Sequence, residues 1–465
     1  MDASREVHTY RRFSLWWDGL PGTIEPREAL AGDTSADVAI VGAGFTGLWA
    51  AYYLKRQRPQ LRVVIVERGV AGCGPAGRNA GWVSGGIAGS WRIYEQSHGL
   101  DAVRRAELET YSTIDEIGTV VQRERIDCDY AKDGTVIVAT TPAQEARLIT
   151  DLERARQRKL TAAGLRELTS TELGQFITIP SGRRAIYSPH SGSVDPARLV
   201  RGLAQACERS GVVIYEGTRA VDIDSGRVDC ATGRVHADHI LRTTEAYTTQ
   251  LPGEQRRYLP LYHVMLATEP LPADVWDELG WRSAVTFRDR RHLFFHAKRT
   301  GDGRLAVGGR GAPYKLSRPL AQPVERDRDM RTKLENAIGQ YFPAAARCEI
   351  THQWGGPLAV PRDWCMAIAY DPATGLGSAG GYSGHGVVAS NIAGRTLADL
   401  ILGRDTDLVA MPWVAHTSRR WEPEPLRYLA SRAVVGVLGS ADRYEDTHPR
   451  RARRASLVAP FAQPS

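Results

Sequence analysis

Long apolar runs are missing from this 465-residue chain. No stretch approaches the roughly 18–20 apolar residues of a membrane-crossing helix, which excludes a helical span. The opening segment, MDASREVHTYRRFSLWWDGL, lacks an apolar core followed by small residues, so no secretory signal is expected there. Cysteine is sparse and scattered, at Cys73, Cys128, Cys207, Cys230, Cys348 and Cys365, with no CxxC pair. That argues against a zinc site or a disulfide framework; no metal is expected, and a reducing cytoplasm is the expected location. Lysine is scarce too. Only six occur, so the formal net charge of +7 rests on arginine. Part of that excess lies in HPRRARRAS, His448–Ser456. A nucleic-acid arm needs a basic face interleaved with aromatics, so this segment reads as a solvated, disordered end and no nucleic-acid partner is expected. Repeats, low-complexity blocks and a second dinucleotide fingerprint are also missing.

Glycine, by contrast, is plentiful and clustered. In ADVAIVGAGFTGLWAAYYLKRQRPQLRVVIVERG the spacing predicts strand, glycine turn, helix, strand. Val38–Val41 and Val63–Val66 are continuous apolar runs, as in parallel strands covered on both faces. Between them Leu48, Ala51, Tyr52 and Leu54 recur at helical spacing, and Pro59 marks the exit. Gly42, Gly44 and Gly47 form GxGxxG: one glycine for the tight turn, one for close approach of a pyrophosphate, one for helix–strand packing. The helix N-terminus offers free N–H groups to that pyrophosphate. Glu67 ends the second strand, where a carboxylate accepts ribose hydroxyls. Together these predict an adenine dinucleotide.

A second cluster, GCGPAGRNAGWVSGGIAG from Gly72 to Gly89, points to FAD over NAD. A flavin is longer than one βαβ unit, and glycines at 72, 74, 77 and 81 let main chain run beside it. Arg78 and Asn79 are then placed to bond its polar edges. The third cluster, GGYSGHGVV from Gly380, opens a helix expected over roughly Val387–Leu402. A helix N-terminus aimed at a reduced flavin stabilises its negative charge by about 0.3–1 kcal/mol. The expected cofactor-binding set is Gly42, Gly44, Phe45, Thr46, Gly47, Glu67, Arg68, Arg78, Asn79, Ala80, Gly81, Ala220, Gly381, Tyr382, Ser383, Gly384, His385 and Gly386.

Elsewhere the pattern alternates. PAQEARLITDLERARQRK from Pro142 is a charged amphipathic helix; SVDPARLVRGLAQACERSG is another, with Asp195 as N-cap, Pro196 at its first position and Gly211 as its stop. VVIYEG follows as a strand. From about Leu251 to His352 short strands such as RHLFFHA and GRLAVGG suit an antiparallel second domain. The fold expected is α/β: an FAD-binding Rossmann-type (glutathione-reductase-like) domain with a second, mainly antiparallel β plus helix substrate domain. The boundaries expected are an irregular arm at 1–35; an FAD domain at 36–90, 188–250 and 350–405; a substrate domain at 91–187 and 251–349; and an extension at 406–465.

DVAIVGAGFTGLWAAYYL, GRNAG, SVDPARLVRGLA, VVIYEGT and GGYSGHG together resemble the D-amino-acid-oxidase-like flavoproteins, nearest to the γ-glutamylputrescine oxidoreductase-like branch. The resemblance runs from Trp16 to Gly403. It implies oxidation of an amine or amino acid: hydride leaves the carbon beside nitrogen for flavin N5, and the imine hydrolyses. The implied partners are a small amine or amino acid and O2 or another electron acceptor. Two departures bear on substrate. Sarcosine-oxidase-type relatives grip a carboxylate with a basic residue just after the glycine loop, where this chain has Val388. They also carry an oxygen-activating lysine where GRLAVGG places Ala306. Relatives with covalent flavin attach it through His or Cys; GRNAG offers neither and Cys365 lies too far along, so noncovalent FAD is expected.

Tyr262, His263, His296, Lys298, Trp354, Tyr382 and His385 are the candidates for the substrate cavity, with Tyr382, His385, His296 and Tyr262 proposed for catalysis. Aromatic walls attract amines through their rings, and a histidine such as His385 is able to accept a proton, although hydride loss from a neutral amine demands no strong base. Each of these side chains taken alone suits core packing better than a functional role; Tyr382 and His385 rank above the others because their loop already has a reason to face the flavin. Two other functions remain open on the sequence: a flavin monooxygenase reduced by NAD(P)H, although no nicotinamide site is visible, and an RNA-modifying flavoprotein using the arginine-rich end.

Overall fold

The computed structural model describes residues 10–312, 316, 320, 327–459 and 461; the first nine residues of the expected arm and, at the C-terminal end, residues 460 and 462–465 lie outside them. Two eight-stranded sheets organise the chain. The first holds β1 (Thr34–Val41), β2 (Val63–Val66), β8 (Val213–Tyr215), β9 (Ala220–Asp224), β10 (Arg227–Cys230), β11 (Gly233–Arg242), β17 (Ala367–Asp371) and β18 (Leu376–Gly380), in the order β17-β18-β11-β1-β2-β8 with β10 and β9 attached at β11. Its centre is parallel, β1 pairing with both β2 and β11. Apolar side chains on both faces of β1 explain its unbroken run: Val38 and Ile40 face one core cluster, Ala39 and Val41 another.

The helix Phe45–Gln57 follows β1 and packs between the helices Pro196–Arg209 and Gly386–Ile401. Asp195 caps the second of these, accepting from the N–H groups of Ala197 (2.9 Å) and Arg198 (3.0 Å), as the sequence predicts. The chain leaves it through Gly211 at φ +88°.

The second sheet holds β4 (Thr135–Ala139), β5 (Arg166–Leu168), β6 (Arg184–Ser188), β12 (Leu259–Pro270), β13 (Thr286–Asp289), β14 (Phe295–Arg299), β15 (Arg304–Ala312) and β16 (Ile350–Val360), ordered β16-β12-β15-β14-β13-β4-β6-β5. All its pairings are antiparallel except β13 with β4. A short ribbon, β3 (Trp82–Ser84) with β7 (Ser191–Ser193), runs between them. One face of the second sheet buries Val264, Leu266, Phe287, Phe295 and Val307 in a core of its own. The other carries His263, Met265, His296, Lys298 and Ala306, and the registers that align these residues turn it toward the glycine-rich segments.

Three sequence expectations change. Residues 350–360 form β16 and pair along β12, so they belong to the second sheet rather than to the FAD domain. The expected irregular arm is anchored over its described residues: Leu15–Asp18 is a helical turn, Trp17 is fully buried, and Trp16 packs edge-on against Trp354. Arg27 further ties this segment down through ion pairs with Glu208 (2.5 Å) and the buried Glu216 (2.7 Å). Nor is His448–Ser456 a disordered end. It follows the helix Leu426–Thr447, and Ala452 and Ala455 pack with Leu438, Ala441 and Leu293. The carboxylate of Asp442 accepts from the N–H groups of His292 (2.9 Å) and Leu293 (3.0 Å), fastening this helix to the second sheet. A charged composition hid a small apolar face.

Candidate flavin and amine site

At the first glycine turn, Gly42 adopts φ +107°, a conformation that a side chain would strain. Gly44 is the N-cap of Phe45–Gln57 and has no side chain to bond the first-turn N–H groups. A Cβ on Gly44 would meet nothing nearer than Ala76 Cβ at 3.9 Å, so space lies open in front of those donors. Gly47 is the reverse: a Cβ there would sit 2.1 Å from the Gly42 carbonyl oxygen and 2.8 Å from Thr243 Oγ1. Gly47 is therefore a packing residue, and Gly44 holds room for a ligand. An open helix N-terminus of this kind fits a pyrophosphate.

Glu67 directly follows β2 and accepts from the N–H groups of Ala43 and Gly69, both at 2.9 Å. Burial pushes its carboxyl up, while these two donors pull it down. A carboxylate has room for about four acceptor contacts, so ribose hydroxyls fit the remainder. Arg68 turns outward to Gln250 and lies 4.7 Å from the Tyr247 ring. Ala220 opens β9, two residues after Thr218, whose N–H donates to the Glu67 carbonyl.

The second glycine cluster is docked onto the first, with the Gly72 N–H donating to the Ala43 carbonyl at 3.0 Å. Gly72, Gly77 and Gly81 are glycines because protein crowds them: a Cβ would meet Val200 Cγ1 at 2.2 Å, Gly72 O at 2.5 Å and Val194 O at 2.3 Å. The expectation for Asn79 is corrected accordingly. Its amide nitrogen donates to Ala76 O (2.7 Å) and its oxygen accepts from Gly81 N–H (2.8 Å), so it braces the loop from within. The carbonyls of Arg78 and Asn79 accept from Trp354 Nε1 (3.1 Å) and Trp16 Nε1 (2.8 Å). Arg78 itself reaches Tyr247 OH at 3.0 Å. Ala80 packs beside Trp16 and Trp354.

In the third cluster Gly381, Ser383 and Gly384 all have positive φ. Glu245 holds this loop: its carboxylate accepts from the N–H groups of Gly381 (3.0 Å), Tyr382 (3.2 Å) and Ala359 (3.1 Å). Burial drives its carboxyl up to about 7 against those three donors. Ser383 Oγ donates to the Trp364 carbonyl at 3.1 Å. Tyr382, a sequence candidate for catalysis, has its hydroxyl 2.8 Å from Thr46 Oγ1 and is 4% exposed in the main core. It is a strut joining the third cluster to the first. His385 is the N-cap of Gly386–Ile401 and faces Gly86, whose Cβ would lie 3.7 Å from its Cε1. Val388, at the position where relatives carry a basic residue, is buried in the core.

The substrate-side candidates divide by sheet face. Tyr262 packs with Val264 and Leu266 in the far core, which removes it from the site. His263 and His296 stack on the near face, ring centroids 4.9 Å apart and Nε2 atoms 2.7 Å apart. A bond between two ring nitrogens needs one donor and one acceptor, so one proton lies between them. Trp82, from the second glycine cluster, lies 5.0 Å from the His296 ring. Ala306 faces the same way, and its cross-strand partner is Lys298. Lys298 donates to the carbonyls of Val194 (2.8 Å) and Gly81 (3.4 Å) and lies 4.8 Å from the Trp16 ring. Burial pulls this ammonium down, while the carboxylate of Asp195 pulls it back up. Thus the face that Ala306 leaves bare carries a lysine from the next strand.

All six cysteines are free, with Cys365 buried and accepting from Ser90 N–H. Among the described residues no helix is long and apolar enough to cross a membrane. Glu245 and Thr243 escaped the sequence reading. Thr243 bonds the carbonyls of Val41 and Gly42 through its hydroxyl. The only sequence signal for either was a position just past β11, the third strand of the parallel sheet.

Residues 37–400 match the family model described as DAO: FAD dependent oxidoreductase. The probable oxidoreductase OrdL of Haemophilus influenzae is 28% identical over 389 residues, covering 80% of this chain and 84% of that protein. The γ-glutamylputrescine oxidoreductase of Escherichia coli is 26% identical over 400 residues, covering 84% and 89%. Among solved structures, glycine oxidase from Geobacillus kaustophilus superposes with a TM-score of 0.66 at 21% identity, over 83% of this chain and all of that one.

Proposed function

The chain belongs to the DAO family of FAD-dependent oxidoreductases, and from that premise we propose that it oxidises the C–N bond of an amine or amino acid, with FAD held noncovalently. When bound, FAD would supply the acceptor for a hydride from the carbon beside nitrogen, leaving an imine for water to hydrolyse. Gly42, Gly44 and the first turn of Phe45–Gln57 would hold the pyrophosphate, Glu67 the ribose, and the Gly381–Gly386 loop the ring's polar edge. The N-terminal N–H groups of the helix Gly386–Ile401 would then lie near that edge, where negative charge gathers on reduction.

The observation that carries this reading is the convergence of three remote glycine segments, tied by Gly72 to Ala43 and by Thr46 to Tyr382, in front of a wall of rings. That wall is His263, His296 and Trp82. An amine must be neutral to release hydride, and the His263–His296 pair offers a ring nitrogen as proton acceptor. Trp82 excludes water on one side and offers an aromatic face to the substrate. Cys365 and the GRNAG segment offer no site of flavin attachment, which supports noncovalent binding. The test is an anaerobic screen of amines and amino acids against the yellow holoprotein, followed by admission of air. Bleaching by a specific amine supports the reading, and the speed of recolouring distinguishes an oxidase from a dehydrogenase. Rapid bleaching by NADPH with no amine present would replace it with the monooxygenase reading.

A further inference from the structure

Two groups among the described residues bring three potential metal ligands together, their donor atoms within 4.8 Å of one another. One is His292, Asp442 and Glu445; the other is Asp363, Cys365 and His416. The first already holds a cation. Arg147 lies 2.8 Å from Glu445, and both oxygens of Asp442 accept from backbone N–H groups. In the second group, the only ion-pair partner of Asp363 among the described residues is His416, whose Nε2 lies 2.8 Å from Oδ2.

The surroundings of the second group orient each donor. Ser418 Oγ (2.7 Å) and Cys365 N–H (3.1 Å) both donate to Asp363 Oδ1, which leaves Oδ2 turned to the histidine. Cys365 is fully buried, and its Sγ accepts from Ser90 N–H at 3.3 Å. Outer hydrogen bonds of this kind position metal ligands and tune them. The Tyr94 ring stands edge-on to His416 at 5.4 Å, fixing the imidazole. His416 is carried by a segment bonded to β17, with Ile368 N–H donating to Trp413 O (2.9 Å) and Ala415 N–H to Ile368 O (2.8 Å). The side chains of Asp363 and His416 are 22% and 13% exposed, so an ion has a way in and a water ligand has room. Trp364, between Asp363 and Cys365, has φ +67°, and Ala415, just before His416, has φ +56°. Such conformations cost energy in residues other than glycine and persist where the surroundings enforce them.

We propose that Asp363, Cys365 and His416 bind a borderline-soft divalent cation, for which zinc is the best match. One thiolate, one imidazole and one carboxylate, completed by water, suit tetrahedral zinc; magnesium and calcium prefer oxygen alone. Binding replaces the thiol proton and the proton between His416 and Asp363, and both pass to solvent. The ion would fasten the turn before β17 to the segment that runs beside it. Ser383 Oγ donates to the Trp364 carbonyl at 3.1 Å, so that staple also backs the third glycine cluster. The site is read from its own residues and stands apart from the amine reading.

The test strips the holoprotein with dipicolinate and titrates it with zinc sulfate. One zinc per chain should survive gel filtration and raise the melting temperature, as a ligand of the folded state does. Cobalt(II) in its place should give the intense d–d bands of a four-coordinate thiolate site, to the red of the flavin absorption. Cys365→Ser and His416→Gln should lose zinc affinity by more than the roughly 10- to 100-fold that follows removal of an outer partner. Ser418→Ala, which removes such a partner, should fall within that range. Cys348→Ser, a half-exposed cysteine outside the group, should bind as wild type does. Wild-type protein that retains no zinc and melts unchanged overturns the proposal, as does zinc binding that survives in both Cys365→Ser and His416→Gln. If Cys365→Ser fails to fold, His416→Gln and the wild-type cobalt spectrum decide. Undiminished affinity in the first, or the pale spectrum of six-coordinate cobalt in the second, refutes the site.

Discussion

Gly44→Ala and Gly47→Ala separate the cofactor cradle from the fold that bears it, although the two residues lie three positions apart in one motif. At Gly44 the backbone has φ −84°, which alanine adopts freely, and the new methyl would find only Ala76 Cβ at 3.9 Å. The FAD-free protein should therefore melt within about 2 °C of wild type, as expected of a substitution costing under about 0.5 kcal/mol. The same methyl projects into the space before the helix N-terminus. Overfilling a close-packed contact costs about 1–3 kcal/mol, so FAD affinity should fall roughly 5- to 150-fold. At Gly47 the methyl would lie 2.1 Å from the Gly42 carbonyl, about 1 Å inside the closest contact that real side chains make. Helix and strand must separate to admit it, and the FAD-free protein itself should lose several kcal/mol. Urea melts of FAD-free protein and FAD titrations followed by flavin fluorescence give both quantities. If Gly44→Ala keeps wild-type FAD affinity, or if it unfolds the protein as Gly47→Ala does, the division of labour in this turn is refuted.

Other residues give sharp expectations. The Glu245 carboxyl, raised to about 7 from 4.5, binds its proton more tightly folded than unfolded, so its contribution to stability is full below about pH 4.5 and lost as pH rises through 7. By linkage that loss is about 3 kcal/mol. Glu245→Gln should therefore gain on wild type by that order between pH 5 and pH 8 in urea melts, and a difference that does not vary with pH would refute it. Tyr382→Phe should cost about 1–2 kcal/mol through the lost Thr46 contact while leaving the flavin reduction rate within a few-fold; a thousand-fold fall in rate would restore a catalytic tyrosine. Asp442→Ala removes the acceptor of two backbone N–H groups in the turn between β13 and β14, one of them buried, and should cost about 2–4 kcal/mol. Removing residues 448–465 should also lower stability, and an unchanged melt would contradict the docking of that segment.

The glycine turn, its flanking strands and the helix capped by Asp195 are legible in sequence because each is decided within about 30 residues. Val38–Val41 and Val63–Val66 need only burial on both faces, and Asp195-Pro196 states its helix start outright. The contacts that fail to show are those between remote segments. Nothing near Glu245 reveals that Gly381 and Tyr382, some 136 residues on, will lend it their N–H groups. β16 reads as the approach to β17 until its pairing along β12 is known. The alternation that sends Tyr262 to one face and His263 to the other is a single-residue matter, set by the sheet register, so a candidate list drawn from LYHVM contains both.

The most direct test of amine oxidation on this flavin is anaerobic rapid mixing of the holoprotein with a bleaching amine, protiated or deuterated at the carbon beside nitrogen. A several-fold slower flavin reduction with the deuterated substrate is predicted, because that C–H bond breaks as the ring is reduced. Equal rates with the two, or failure of every amine and amino acid to bleach the flavin, would contradict the account.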